Sequence, residues 1–509
     1  MESRFVGRQT ELELLDDLWA TQKATLLILY GRRRVGKTRL LTHWMKRYQG
    51  DALYWMAEST SALDQLRSFS QSLFTFAYPG APLSSNFTYD SWEQALHQAS
   101  LIAQERRFVL IIDEVTYILD VHPEFVRTLQ KSWDHWLSKT NLFLALSGSQ
   151  MGLMQQHLLD YQAPLYGRAT ATIKLQPLPF GATQQYFPTY APLDRVKMYS
   201  VWGGIPAYWE RLDAEMSVLG NLQSQLRTSN NWMMDEPRLL LQDFVNDPHN
   251  YVSIMRAIAD GNQSLSEISK RIGLTGGSTS KYLGVLRDTG FVERDVPITK
   301  RGTESRQGRY FVTDPYLRFY YRFLSTYQSK IALGQQGQML QEIEDDLPQF
   351  IAYNTWQEMC RDWVLLATEL GTLPVTITEI GSEWKRSFTL DIVGLDFNHK
   401  TFVLGDCCWE NDVPIEDILS NLIKRTSAVL PDDDNEWSIY YLVFAINEWS
   451  DEERAEAATV FEKLLENNRG RKGWDPIGFR LVSLAEVDKD LTTWSANNMV
   501  DTGSTTVLH

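Results

Sequence analysis

Cysteine is nearly absent: the 509-residue chain has three, two of them adjacent (Cys407 and Cys408). That excludes a disulfide framework. No apolar run approaches the ~20 residues that cross a bilayer. The opening Met1-Glu2-Ser3-Arg4 lacks the charged-then-apolar layout of a secretory leader. Eight scattered histidines offer neither an H-E-x-x-H helix nor Cys/His zinc spacing. No internal period marks a repeat architecture. Basic excess is missing too, since 49 Lys and Arg stand against 64 Asp and Glu for a net charge of −15. A histone-like basic chain is excluded, though a local basic patch is not. With 43% hydrophobic and 22% charged residues, the composition is that of an ordinary globular protein, not a disordered one. At about 150 residues per domain the length gives roughly three domains. These features fit a cytoplasmic multidomain chain.

The strongest positive signal comes early. Residues 25–30, Thr-Leu-Leu-Ile-Leu-Tyr, form an apolar run of strand length. Gly31-Arg32-Arg33-Arg34-Val35-Gly36-Lys37-Thr38 follows, then Arg39-Leu40-Leu41 with helical character. This is G-x-x-x-x-G-K-T in the strand–loop–helix setting it needs. The glycines let backbone N–H groups turn inward on phosphates, and the helix start adds its positive dipole end. Lys37 is placed to reach the β- and γ-phosphates, and Thr38 to hold Mg²⁺ through its hydroxyl. A second apolar run, residues 108–112, ends in Asp113-Glu114. Asp113 is suited to orient the magnesium through water, and Glu114 to take a proton from an attacking water. A third run, 142–146, ends in Ser147-Gly148-Ser149, polar groups placed to sense a γ-phosphate. Strands alternating with helical patterns predict a parallel α/β sheet with its ligand at the carboxyl ends of the strands. Arg168, in Pro-Leu-Tyr-Gly-Arg, is a candidate to stabilise charge on the γ-phosphate, in its own subunit or across a subunit boundary.

Phe5-Val6-Gly7-Arg8-Gln9-Thr10-Glu11-Leu12, the lysine loop, the Asp-Glu strand end, Pro164–Arg168 and Gly203-Gly204-Ile205-Pro206 together resemble the archaeal-type P-loop ATPases, AAA+-related proteins of the STAND group. The resemblance implies Val6 and Arg8 beside the base and Pro206 in a helical lid. It also implies ATP or ADP with Mg²⁺ as cofactors, the loop residues Arg34, Val35 and Arg39 belonging to the same site.

The parts that follow are read from shifts in charge and pattern. Residues 1–175 make the P-loop domain and 176–245 an aromatic-rich helical lid. Residues 251–330 carry 13 basic and 7 acidic residues, a net of +6. Their helix–helix–turn–helix order and two short strands predict a winged helix over 246–330. Ser278, Thr279 and Lys281 on its last helix, and Lys300, Arg301 and Arg306 in its wing, are candidate DNA contacts. A purely intramolecular role for this module stays open.

Residues 331–485 form an acidic α/β domain, followed by a tail over 486–509. A hairpin of residues 389–395 and 401–409 places Asp391 beside Asp406 and Cys408. The arrangement resembles the PD-(D/E)xK restriction-endonuclease-like fold, with Glu358, Asp391 and Asp406 at the positions of its acids. Cys408 stands where that fold carries a lysine. A thiol with a pKa near ~8.5 supplies no fixed cation, so the domain is expected to be nuclease-like in fold and inactive, unless Lys385 or Lys424 substitutes. The functions left open are an ATP-dependent switch that binds double-stranded DNA or a partner, an ATP-regulated nuclease, and a protein-interaction switch; a homo-oligomer is compatible with each.

Overall fold

The apolar run after residue 24 becomes β1 (Thr25–Tyr30), followed by β2 (Ala52–Met56), β3 (Val109–Asp113), β4 (Phe143–Gly148) and β5 (Ala171–Lys174). The computed structural model describes residues 5–48, 50–227, 232–242, 244, 247–301, 305, 307–409, 413–431, 436–468, 473–497 and 505–507. The chain divides into two compact units, one built on Gly7–Leu178 with Ile205–Glu210 and the C-terminal strand, the other on Pro179–Gly204 with Arg211–Val500.

In the first unit the five strands are parallel, in the order β5-β1-β4-β3-β2. A short last strand, Thr505–Val507, lies antiparallel on β5. β3 is buried throughout and β1 nearly so. A parallel sheet is covered on both faces, which is why these strands read as continuous apolar runs instead of alternating ones. The helices Ala62–Ala77 and Trp92–Glu105 start at Ser61 and Ser91, whose hydroxyls accept the amides of Asp64 and Gln94. All five strands point their carboxyl ends to one edge, which fixes where Gly31 and Asp113 emerge.

The second unit holds three parts. Helices Pro192–Trp202, Val218–Arg227 and Trp232–Gln242 form the helical region. The winged helix follows: helices His249–Ala259, Leu265–Ile272 and Gly276–Asp288, then the antiparallel pair β6 (Val292–Asp295) and β7 (Arg309–Val312). A capping box of Ser264 and Glu267 starts its middle helix. Next come β8 (Glu379–Trp384), β9 (Thr389–Asp396), β10 (Thr401–Cys407), β11 (Trp437–Ala445) and β12 (Trp474–Ser483), in spatial order β12-β11-β10-β9-β8. The first three run antiparallel and the last three parallel. The crossover helices Ile415–Val429 and Asp451–Asn468 share one apolar layer on this sheet, as two right-handed crossovers in the same direction require.

Two boundaries differ from the sequence reading. Residues 486–497 are not tail. Helix Leu484–Ala496 buries Leu484, Val487, Leu491 and Trp494, apolar positions at helical spacing. Its Asp488 closes a buried ion pair with Arg195, 293 residues earlier. The lid of 176–245 is also divided, because Ile205–Glu210 belongs with the P-loop sheet and its flanks with the second unit.

Candidate functional site

The loop after β1 has the form its sequence dictates. Gly36 takes φ 104° and Arg34 φ 67°. A Cβ at Gly31 would stand 2.5 Å from the Leu175 carbonyl oxygen, so only glycine lets the loop pass so close to β5. Lys37 opens helix Lys37–Met45 with its side chain buried. Its ammonium curls back to donate to the carbonyls of Gly31 (3.0 Å) and Arg32 (3.2 Å). Burial lowers its pKa, and Glu114 and Asp113 pull it back up. Val35 is fully buried under the loop.

Asp113, fully buried at the end of β3, binds this helix. The Thr38 hydroxyl donates to its Oδ2 at 2.6 Å and the Tyr54 hydroxyl, from β2, to the same oxygen at 2.9 Å. The Glu114 amide donates to Oδ1. Burial and the neighbouring Asp113 carboxylate push the Tyr54 phenol well above its ordinary range. Glu114 takes φ 51°, a left-handed conformation that turns it away from the strand line. Its carboxylate accepts from Ser149 Oγ at 2.8 Å. The Ser147 hydroxyl near the end of β4 is buried without a hydrogen-bond partner among the described residues. Lysine, hydroxyl, paired carboxylate and second carboxylate thus converge at one sheet edge. Thr38 and Asp113 are the donors a hard cation takes, and the left-handed loop presents the backbone a phosphate takes.

The segment Ile205–Glu210 lies on this loop. Pro206 Cγ would be 3.8 Å from a Cβ on Gly36. Arg32 donates to the Tyr208 hydroxyl at 2.9 Å, and Arg39 pairs with Glu210. Arg8, buried at φ 68°, is spent on Glu11 (3.0 Å), the Val35 carbonyl (3.1 Å) and the Gln176 carbonyl (2.5 Å). It holds the loop from behind; Val6, half-buried, precedes it by two residues.

Arg168 is not brought to the loop. It lies three residues before β5, and Thr170 already pairs with Leu26 near the start of β1. About 13 Å of strand separates Thr170 from Lys174, the residue level with Tyr30. Its guanidinium instead grips both oxygens of Asp134 at 2.8 and 2.9 Å. A role on its own subunit's γ-phosphate is corrected on that ground, since the sequence motif fixes neighbours along the chain but not which end of the strand they occupy.

In the winged helix, Ser278 and Lys281 are exposed on helix Gly276–Asp288. Thr279 is fully buried and donates to the Thr275 carbonyl, so it faces the core and not a groove. The wing rests on β8. Arg301 donates to the Ile380 carbonyl at 2.8 Å and sits 3.3 Å from Asp295 and 3.8 Å from Glu379. The Thr299 hydroxyl donates to Glu383 at 3.0 Å, Trp384 to the Gln307 carbonyl at 3.0 Å, and Ile298 joins the apolar layer of the C-terminal sheet. Arg301 as a DNA contact is therefore corrected: its donors are used within the chain. Lys300 is exposed and bonds Gln307; Arg306 lies outside the described residues.

At the C-terminal sheet, Gly405 pairs with Ile392 in the hairpin, so Asp406 and Asp391 are the next positions on adjoining strands. Asp391 accepts from Gln357 (3.0 Å) and the Cys407 amide (3.2 Å), and burial followed by the charge of Asp406 raises its pKa. Glu358 is held by Arg318 at 2.7 Å. The Cys408 thiol is pushed up to about 12, by burial and then by Asp406 and Asp391. Lys385 reaches the Ala428 carbonyl, and Lys424 is exposed on the helix after β10. Among the described residues no group of three or more His, Cys, Asp or Glu side chains is arranged to hold a metal ion.

Residues 5–212 match the family described as an ATPase domain predominantly from Archaea. The chain belongs to the archaeal-type ATPases. Residues 250–296 of this archaeal-type ATPase match the IclR helix-turn-helix domain, and residues 320–421 a family described as archaeal and bacterial proteins of unknown function. An uncharacterized protein of Methanocaldococcus jannaschii is 26% identical over 441 residues, 86% of this chain and 95% of its own. An uncharacterized ATP-binding protein of the same organism is 55% identical over 42 residues, 8% of this chain and 71% of its own. Among solved structures, a Walker-type ATPase of Pyrococcus abyssi aligns at TM-score 0.47 and 18% identity, covering 62% of this chain and 96% of its own. The Orc1 protein of Aeropyrum pernix, solved in complex with DNA, aligns at 0.33 and 14%, covering 65% and 95%.

Two functional candidates in the archaeal-type ATPase escaped the sequence. Tyr54, in the middle of the neighbouring strand β2, binds Asp113 through its phenol, and no local motif marks it. Arg361, one helical turn after Glu358, donates to Ser382 Oγ (2.8 Å) and the Asp391 carbonyl (3.2 Å). It supplies a cation near the acids where Cys408 does not, and the i, i+3 spacing from Glu358 was the readable sign.

Proposed function

We propose that the chain is an ATP-binding and ATP-hydrolysing switch whose nucleotide state is passed to its winged helix. The observation that carries this is the junction of loop and strand: Lys37 is buried against the loop carbonyls, and Thr38 is bonded to Asp113 at 2.6 Å. Thr38 and Asp113 would hold a Mg²⁺ arriving with the nucleotide, which neutralises phosphate charge. Lys37 would exchange its two carbonyls for phosphate oxygens. Glu114 is the base for the attacking water, held in the resting state by Ser149. Arg32 and Arg39 are tied to Tyr208 and Glu210. A triphosphate competes for those guanidiniums, so its arrival changes the grip of the loop on Ile205–Glu210, the differential contact a population shift requires. Arg168, half-buried and paired with Asp134, is left for a second copy.

The exposed Ser278 and Lys281 favour DNA backbone contact through helix Gly276–Asp288, with Lys300 alongside. The nuclease alternative is weakened by the neutral Cys408 thiol and by the ion pair that occupies Glu358. Gel-shift on duplex DNA at low and moderate salt, with and without ATP, tests the reading together with nucleotide binding by calorimetry. Loss of nucleotide affinity in Lys37→Ala and nucleotide-dependent DNA retention are expected. Full affinity in that variant sinks the site, and no retention in either state leaves the protein-interaction switch.

A further inference from the structure

The winged helix and the C-terminal domain enclose a cavity of about 610 Å³, a size that suits a small ligand. The apolar part of its wall includes Phe311, Phe350, Tyr353 and Trp384. Tyr353 is 68% exposed although it is a large ring. It stands on Ala352–Trp356, a π-helical turn between two α-helices. Such turns cost hydrogen-bond geometry and occur often where a ligand is met.

The charges of the cavity are not all spent. Arg318 is paired with Glu358, and Arg322 lies 3.9 and 3.7 Å from Asp260 and Asp346. Asp295 is taken by Arg301. Two arginines face the same space with no carboxylate within ion-pair distance among the described residues. Arg309, on β7, lies 4.7 Å from the Trp384 ring centroid, feels the charge of Glu267, and among the described residues makes no hydrogen bond through its guanidinium. Arg361 bonds a hydroxyl and a backbone carbonyl through Nη1 alone. A guanidinium carries five N–H donors in a fork that matches phosphate oxygens. These two come from different elements, one from the wing and one from the helix Gln357–Glu369, and meet β8 at Trp384 and Ser382. Glu293 and Asp391 also line the space, so an anion is stabilised only where it sits on the two arginines.

We propose that this cavity binds a nucleoside phosphate, its phosphate between Arg309 and Arg361 and its base against Phe311, Phe350 and Tyr353. The site is separate from the P-loop and does not depend on it. The ligand is either a free mononucleotide or the 5′-phosphorylated end of a single strand, which share this chemistry. A ligand bridging Arg309 and Arg361 would also tighten the wing on the C-terminal domain, because it ties the two elements together.

The test uses the full chain carrying Lys37→Ala, which disables the P-loop, titrated by calorimetry with thymidine 5′-monophosphate. A second arm uses a ten-nucleotide single strand with and without a 5′-phosphate. Saturable binding is expected, weakened at least about tenfold by Arg309→Gln or Arg361→Gln and less by Arg309→Lys. Tyr353→Ala, at an exposed position that does not threaten the fold, is expected to weaken base binding in the same assay. Tighter binding of the phosphorylated strand than of the mononucleotide identifies a strand end as the source; the reverse order identifies a free nucleotide. No binding of either at millimolar concentration, or affinity unchanged in the Arg309→Gln/Arg361→Gln double variant, overturns the proposal.

Discussion

The two carboxylate sites of this chain solve the same electrostatic problem differently. At the end of β3, Asp113 is fully buried, yet two hydroxyls and an amide donate to it and a buried ammonium stands nearby. At the hairpin, Asp391 and Asp406 face one another, and the residue two positions after Asp406 is a thiol without charge. At the hairpin, burial and then the second carboxylate raise the pKa of Asp391 despite its two donors. Charge compensation, more than the acids themselves, separates the two sites: a buried ammonium stands beside Asp113, and a thiol follows Asp406.

The comparison breaks most visibly at the P-loop. Lys37→Ala is expected to lower nucleotide affinity by about a hundredfold or more, read by calorimetry. Glu114→Gln is expected to keep affinity and lose about a hundredfold in hydrolysis, read by phosphate release. If both constants fell together in Glu114→Gln, its place as base would be wrong. Ser149→Ala releases Glu114 and is expected to raise resting hydrolysis by roughly two- to tenfold, the size of one hydrogen bond.

The hairpin acids sharpen the contrast through pH. The folded-state pKa of Asp391 is raised above its unfolded value. The folded chain therefore holds a proton that the unfolded chain has released, and stability falls as pH rises between the two values. Asp391→Asn removes that loss. Its melting temperature relative to the wild type is expected to climb from pH 4 through neutrality and then level off. A difference independent of pH would show that the two acids do not interact. The smallest expected effect is at the winged helix, where Lys281→Ala reduces the salt slope of DNA binding by about one.

Much of the first site was legible because its chemistry is local. The strand Thr25–Tyr30, the loop and Lys37 lie within fourteen consecutive positions, and the structure keeps the strand bounds unchanged. What the sequence did not reveal depends on distant partners. Arg301 reads as a free wing cation until β8 arrives to take its donors, and Thr279 sits on a helix whose buried face is set by neighbours. Arg168 needed the strand register, not its motif, to locate it. Helix Leu484–Ala496 is legible in its apolar spacing, with polar residues on its other positions.

The clasp between Arg195 and Asp488 sets a timetable for the nascent chain. Both groups are buried, and a guanidinium enclosed without its partner is costly. The helix Pro192–Trp202 leaves the ribosome 293 residues ahead of that partner. At 5–20 residues per second this is a wait of about 15 to 60 s. The P-loop sheet, whose parallel strands are all synthesised by residue 174, is free to fold in that interval, while the clasp of the other unit cannot close until its last helix arrives.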